Sequence, residues 1–160
     1  DVCSSDLSFQ ETSWMRHGAA EVECYNIKIN LGEFYMKIRK EDIPVVKEAP
    51  NTIMRLLPGL GNMTVAYHEL PKGTDFTPLL KGLKNDSCHC PHWGYMFKGS
   101  FRFIYDDGTE EVFKEGDVFF APAGHTAIID EDAKFIDFSP EKELNEVFGH
   151  IGKRMEELSK

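Results

Sequence analysis

The sequence lacks any long apolar run and any extended basic stripe. No stretch approaches the roughly 18–20 apolar residues of a membrane-spanning helix. Acidic residues outnumber basic ones by 27 to 18, which gives a formal net charge of −9 at pH 7. A nucleic-acid-binding surface needs clustered Lys and Arg, and the one such cluster, Lys37, Arg39 and Lys40, is explained as a solvated strand end. We therefore expect neither nucleic acid nor an anionic membrane as a partner.

Cysteine is scarce, and several catalytic motifs are missing. The four cysteines are Cys3, Cys24, Cys88 and Cys90. Residues 1–16 lack the basic segment followed by an apolar segment that marks a secretory signal, so we expect a cytoplasmic protein with reduced thiols. The sequence contains no serine-nucleophile motif, phosphate-binding loop or dinucleotide fingerprint, and therefore gives no support to those chemistries.

What the sequence does contain is a series of short β-strands. Apolar and polar side chains alternate along residues 22–30, with the period of a half-buried strand. Asp107-Gly108 is a strong hairpin signal, because both central residues of such a turn take a positive φ. Many short strands separated by turn residues are typical of a barrel or sandwich. The predicted strands are residues 22–30, 34–38, 52–57, 63–70, 92–98, 100–105, 110–113, 118–121, 126–129 and 134–138, with a turn at 130–132.

The end of the chain changes from strand to helix periodicity. Ser139 is expected to cap a helix, with Pro140 at its first position. The sequence then divides into a loose arm at residues 1–20, a β-barrel at 21–138 and a C-terminal helix at 139–160. Because a small barrel leaves strand edges and a helix stripe to cover, we expect a homodimer. The apolar stripe of that helix comprises Leu144, Val147, Phe148, Ile151, Met155 and Leu158.

Four potential metal donors occur within five positions, in Cys88-His89-Cys90-Pro91-His92. The alternative is a loop whose thiols are small buried apolar groups and whose histidines lie on the surface. On a straight strand Cys88 and His92 would be about 13 Å apart, at roughly 3.3 Å per residue. Donors to one metal lie within about 4 Å of each other. Cys88 and His92 can share a metal only if the chain bends between them, and Pro91 is a suitable place for that bend.

Two segments resemble the motifs of the cupin superfamily. Gly99 closes the strand of the first motif and aligns His92 with the glutamate of that motif. The His-x-His of the first motif is absent, since its positions hold Asp86 and Cys88. The resemblance covers about residues 86–138. The second motif is matched by Gly116, Asp117, Pro122, Gly124 and His125.

The resemblance implies an all-β, cupin-type antiparallel β-barrel (jelly roll) that carries a metal site. The implied ligands are His92, His125 and Cys88, followed by Cys90 and then His89. Thiolate and imidazole favour zinc over calcium or magnesium, and iron, copper and nickel remain alternatives because cupins use several metals. Three protein ligands would leave a position for water or substrate, whereas four would close the tetrahedron and indicate a structural metal. The sequence leaves that number open.

The preferred interpretation is a metal-dependent enzyme acting on a small organic molecule of aromatic or keto, oxygen-chelating type. An oxygenase, a lyase and a hydrolase all fit, with the metal as Lewis acid or oxygen activator. The alternative is a non-catalytic cupin that binds a metal or ligand for sensing, and a third interpretation is a protein-interaction module. The candidate catalytic side chains are His68 and Tyr95. A histidine on such a strand is more often simply hydrogen-bonded to a neighbour, and most of the aromatic residues around Tyr95 are expected to be plain core.

Overall fold

The computed structural model describes residues 37–158. The predicted strand at 22–30 and most of that at 34–38 lie outside these residues. Within them the chain forms seven strands and two α-helices, with short 3-10 turns at Lys40–Asp42 and Lys84–Asp86. The strands are β1 (Val45–Ala49), β2 (Thr52–Leu57), β3 (Met63–Leu70), β4 (His92–Tyr105), β5 (Glu110–Lys114), β6 (Val118–Ala121) and β7 (His125–Pro140). The helices are α1 (Thr77–Leu80) and α2 (Glu141–Leu158).

The long strand β7 holds the antiparallel sheet together. The strand order is β1-β2-β3-β7-β4-β5, and β6 pairs with β4. Every paired strand is antiparallel. The predicted all-β architecture with a C-terminal helix is confirmed, and the arrangement is consistent with a cupin jelly roll.

Two strand breaks predicted from the sequence are wrong. Residues 92–105 form one strand, β4, and residues 125–140 form another, β7, so the turn expected at 130–132 lies within a strand. The ladder between β4 and β7 shifts register around Lys98 and Ser100 instead of ending there. Gly99 makes this possible: it has a φ of +73°, and a Cβ at this position would lie 2.1 Å from the carbonyl oxygen of Asp132.

The predicted helix cap is also wrong. Ser139 and Pro140 are the last residues of β7, and α2 begins at Glu141. Ser139 is fully buried, and its hydroxyl contacts His92 and Asp137. Because Ser139 belongs to the strand and its hydroxyl contacts these two side chains, it does not serve as the helix cap.

Helix α2 packs on its own chain and covers one end of the sheet. Leu144 and Val147 are buried in a cluster with Leu80 of α1 and with Cys88 and Cys90. Burying side chains of this size stabilises the fold by about 1.5–3 kcal/mol each. A second, larger core lies inside the barrel and is built largely from phenylalanine. Of the helices in residues 37–158, none is long and apolar enough to cross a membrane.

Candidate metal centre

Cys88, His92 and His125 bring their side chains together at one end of the barrel. The Sγ atom of Cys88 lies 3.5 Å from Nε2 of His92. One potential ligand atom from each residue lies within 4.8 Å of those from the other two. Cys88 and His125 are buried and His92 is half-buried. They form the single group of three or more possible metal donors found among residues 37–158.

The backbone positions these side chains. His92 begins β4 and His125 begins β7. Cys88 lies in the preceding loop and forms an isolated antiparallel bridge with His125. The chain bends at Cys90. This bend allows Cys88 and His92 to meet, although a straight strand would hold them about 13 Å apart.

The donor set fits a transition metal. The Nδ1 atom of His125 lies 2.6 Å from the carbonyl oxygen of Pro122. A carbonyl oxygen only accepts hydrogen bonds, so Nδ1 carries the proton and Nε2 keeps the lone pair that binds a metal. Ligands at about 2.3 Å for sulfur and 2.0 Å for nitrogen lie roughly 3.5 Å apart on a tetrahedral ion. The distance between Cys88 Sγ and His92 Nε2 is 3.5 Å.

Electrostatic interactions at this site favour the thiolate of Cys88. Burial raises the pKa of Cys88, but hydrogen bonds and charge from His125 and His92 outweigh it and bring the pKa to about 6. Burial lowers the pKa of His92, whereas Asp137 and Cys88 raise it to about 10. The thiolate is the form of cysteine that binds metals. Cys88 is therefore favoured in its metal-binding form, whereas His92 must release a proton when it binds a metal.

The other residues singled out in the sequence lie outside this group. Cys90 is fully buried, and its Sγ lies 3.5 Å from the carbonyl oxygen of Pro91; burial raises its pKa. The Nε2 atom of His89 is 3.4 Å from Glu146 of α2. Tyr95 lies on the outer face of β4 against Phe97.

His68 does not belong to the cluster, but it contacts Asp137, which lies next to His92. Its Nε2 atom is 3.2 Å from Oδ2 of Asp137, and its Nδ1 atom is buried without a hydrogen-bond partner. Asp137 lies in the same candidate site and has no recognisable motif around it in the sequence. Burial raises its pKa, but His68 and His92 together hold that pKa well below the usual range. The available signal was an acid and a serine, Asp137 and Ser139, which alternate with apolar residues over positions 135–140.

A cavity of about 110 Å³ opens beside the cluster. Cys88, His92 and His125 form part of its wall, together with His68 and Asp137. Among the described residues that line it there is no Lys or Arg. Helix α2 covers it with Leu144, Val147, Phe148 and Ile151. The aromatic side chains of the wall are Phe76, Phe101, Phe103, Phe119, Phe135 and Phe148.

No protein-family model matches this chain. No curated protein matches it either. Solved structures of cupin-fold proteins do match the fold of this chain. An RmlC-like cupin from Shewanella frigidimarina is 19% identical with a TM-score of 0.47, over 66% of this chain and 90% of that one. The polyketide cyclase RemF from Streptomyces resistomycificus is 17% identical with a TM-score of 0.48, over 68% and 80% of the two chains.

KdgF from a Halomonas species is 20% identical with a TM-score of 0.45, over 64% of this chain and 92% of that one. At such identities and TM-scores, none of these proteins indicates what the present chain binds or does. Only the residues of the site itself bear on its function.

Proposed function

We propose that this protein binds a divalent transition metal through Cys88, His92 and His125 and is a metal-dependent enzyme acting on a small organic molecule. The observation that carries the proposal is the position of these three side chains in the wall of an apolar cavity. Three protein ligands on a tetrahedral ion leave a fourth position that faces a substrate. Zinc is the preferred metal for one thiolate and two imidazoles, with iron, copper and nickel as alternatives.

The cavity limits the class of substrate. Its volume is about 110 Å³, and an apolar cavity of about 150 Å³ binds benzene. The cavity therefore accepts a molecule smaller than benzene as it stands, and a benzene-sized molecule with some rearrangement of its walls. Because the wall offers aromatic rings and no Lys or Arg among its described residues, phosphorylated compounds and sugars are disfavoured. A small aromatic or keto compound with an oxygen for the metal is the class that the wall accommodates.

The protein's own residues would bind and shield this substrate. When bound, a divalent metal supplies Lewis acidity to a substrate oxygen. Phe101 and Phe119 pack at right angles to each other and give the cavity an apolar floor. Phe148 and Ile151 of α2 cover it. Exclusion of water by these walls strengthens each electrostatic interaction inside the site.

A non-catalytic metal- or ligand-binding protein is the second candidate, and the position of α2 favours it. Leu144 and Val147 of α2 are buried, and with them the helix covers part of the cavity. This cover would slow the exchange of a ligand held there. In that case the metal or its ligand would serve sensing or stability, with no turnover.

Cobalt substitution tests the proposal. Protein purified without added metal is assayed for bound metal, stripped with a chelator and reloaded with Co²⁺, whose visible spectrum reports coordination. Acetohydroxamate, a small bidentate oxygen ligand, is then added. A spectral change that is absent in His125→Ala supports an open metal position next to the cavity. Absence of any bound metal in the wild type would overturn the proposal, and an acetohydroxamate-insensitive spectrum would favour the non-catalytic alternative.

A further inference from the structure

Four polar side chains, three of them buried and the fourth, His92, half-buried, form a continuous series of contacts behind the metal cluster. His68 lies on β3, Asp137 and Ser139 lie on β7, and His92 begins β4. The Nε2 atom of His68 is 3.2 Å from Oδ2 of Asp137. The hydroxyl of Ser139 donates to Oδ1 of Asp137 over 2.9 Å. The same hydroxyl oxygen lies 2.7 Å from Nδ1 of His92.

The chemistry of these groups sets the direction of each hydrogen bond. A carboxylate only accepts, so the single hydroxyl proton of Ser139 goes to Asp137. The oxygen of Ser139 is then an acceptor, and Nδ1 of His92 must be the donor. When its imidazole is neutral, His92 therefore carries its one proton on Nδ1. Its Nε2 atom, 3.5 Å from Cys88 Sγ, keeps the lone pair that a metal requires.

Asp137 makes no direct hydrogen bond to His92. Its Oδ1 atom is 3.7 Å from Nδ1 of His92, beyond the range of a hydrogen bond. Ser139 fills this gap, and its side chain is fully buried, so water does not take its place. His68 holds the other oxygen of Asp137 and stacks on Phe135, with ring centroids 4.7 Å apart.

We propose that Ser139 is a positioning residue of the metal centre, which transmits the orientation of Asp137 to His92 and so selects the metal-binding form of that imidazole. The inference rests on the proposed metal-binding function. A histidine ligand whose second nitrogen is held by such a partner binds its metal more tightly, and loss of the partner weakens affinity by about 10–100-fold.

Ser139→Ala tests this inference, and Ser100→Ala is the matched control. Ser100 is also buried and also donates to a carboxylate, that of Glu131, but it lies away from the cluster. The dissociation constant for Zn²⁺ is measured by competition with a chromophoric chelator. We expect Ser139→Ala to raise it by about 10–100-fold. Ser100→Ala should leave it unchanged, and Ser139→Thr, which keeps the hydroxyl, should restore most of the affinity.

A second readout needs no metal. Nitrogen-15 NMR of the metal-free protein at alkaline pH distinguishes a proton on Nδ1 of His92 from one on Nε2. We expect the Nδ1–H form in the wild type and a mixture in Ser139→Ala. Circular dichroism checks that each variant folds, and if Ser139→Ala does not fold, Asp137→Asn replaces it. Its amide can donate to Ser139, whose hydroxyl can then donate to Nδ1 of His92, so Asp137→Asn should favour the Nε2–H form and lose zinc.

Different results would contradict the proposed function and the positioning role of Ser139. A wild type that binds no Zn²⁺ contradicts the proposed function, while the NMR experiment still shows whether Ser139 selects the form of His92. Zinc bound by the wild type and by Ser139→Ala with equal affinity overturns the positioning role and leaves metal binding intact. An equal loss in Ser100→Ala would also overturn it, because a general loss of buried hydrogen bonds would then explain the effect.

Discussion

Cys88 and His125 are linked by backbone hydrogen bonds, and their side chains lie together in the candidate metal site. The N–H of Cys88 donates to the carbonyl oxygen of His125 over 2.7 Å, and the N–H of Gly124 donates to the carbonyl oxygen of Cys88 over the same distance. These two candidate ligands are therefore held side by side whatever their side chains are. Substitutions at either position thus test ligation, because the hydrogen bonds that place the chain survive them.

The first prediction concerns the histidine ligands. His92→Ala or His125→Ala should reduce bound metal to near zero, because each removes one of three donors. Elemental analysis of protein purified without added metal measures this. His89→Ala is the control, since His89 contacts Glu146 instead of the cluster. A chelator should lower the melting temperature of the wild type, because metal at 100 times its Kd stabilises the native state by about 2.7 kcal/mol. Full metal content in both variants would rule out this ligand set.

The thiols should differ from each other. Cys88→Ser should weaken Zn²⁺ binding strongly, because it removes the thiolate that lies 3.5 Å from His92. Cys90→Ser should leave affinity nearly unchanged, because Cys90 Sγ is buried against the carbonyl oxygen of Pro91. Isothermal titration with Zn²⁺ measures both. A larger loss in Cys90→Ser would mean that Cys90, and not Cys88, supplies the thiolate ligand.

Two glycines should respond to alanine in opposite directions. Gly99→Ala should lower the free energy of unfolding by at least about 2 kcal/mol, since φ is +73° and the new Cβ would meet the backbone of Asp132. Gly149→Ala, in α2, has no atom within 4 Å of the added methyl and should raise it by up to about 1 kcal/mol. Urea denaturation measures both changes. Equal effects of the two substitutions would contradict the bulge that carries β4 past Gly99.

The outer face of the sheet offers a surface for the expected homodimer. Trp93, Tyr95 and Phe97 are exposed along β4, beside Phe120 of β6 and Phe138 of β7. Contiguous exposed apolar patches of this kind mark interaction sites. Trp93 pairs with both Phe120 and Phe138 in the sheet, so the patch is continuous. By contrast, much of the apolar stripe of α2 is buried on its own chain.

We therefore expect a homodimer formed through this face by a second copy of the chain. Light scattering should give twice the chain mass of 18.2 kDa. Phe120→Glu should shift the protein to monomer, whereas Val112→Glu, an equally exposed position on β5, should not. A wild-type mass near that of one chain at micromolar concentration would contradict the expectation, as would a Phe120→Glu variant that remains dimeric.

The local pattern of the sequence was enough to place several strands. The predicted bounds of β2, β3 and β6 agree with the structure, because turn residues such as Pro58-Gly59 and Pro122 bound short runs rich in apolar side chains. The same pattern failed at Gly99 and at residues 130–132, where turn-forming residues lie inside continuous strands. A glycine with positive φ can end a strand or form a bulge, and only the neighbouring strand decides which.

In the candidate site, too, some features follow from the sequence and others only from the tertiary structure. The sequence by itself determined which residue types could bind a metal, since thiol and imidazole groups cluster between Cys88 and His92 and a third donor, His125, follows the Pro122 turn. The tertiary structure decided which of them meet: the bend at Cys90 and the bridge to His125 bring three donors together, while Cys90 and His89 face other partners. It also decided the role of Ser139, which local pattern assigned to a helix cap. The hydrogen bond of Ser139 to His92 joins residues 47 positions apart, and such a contact depends on strand pairing that no local period encodes.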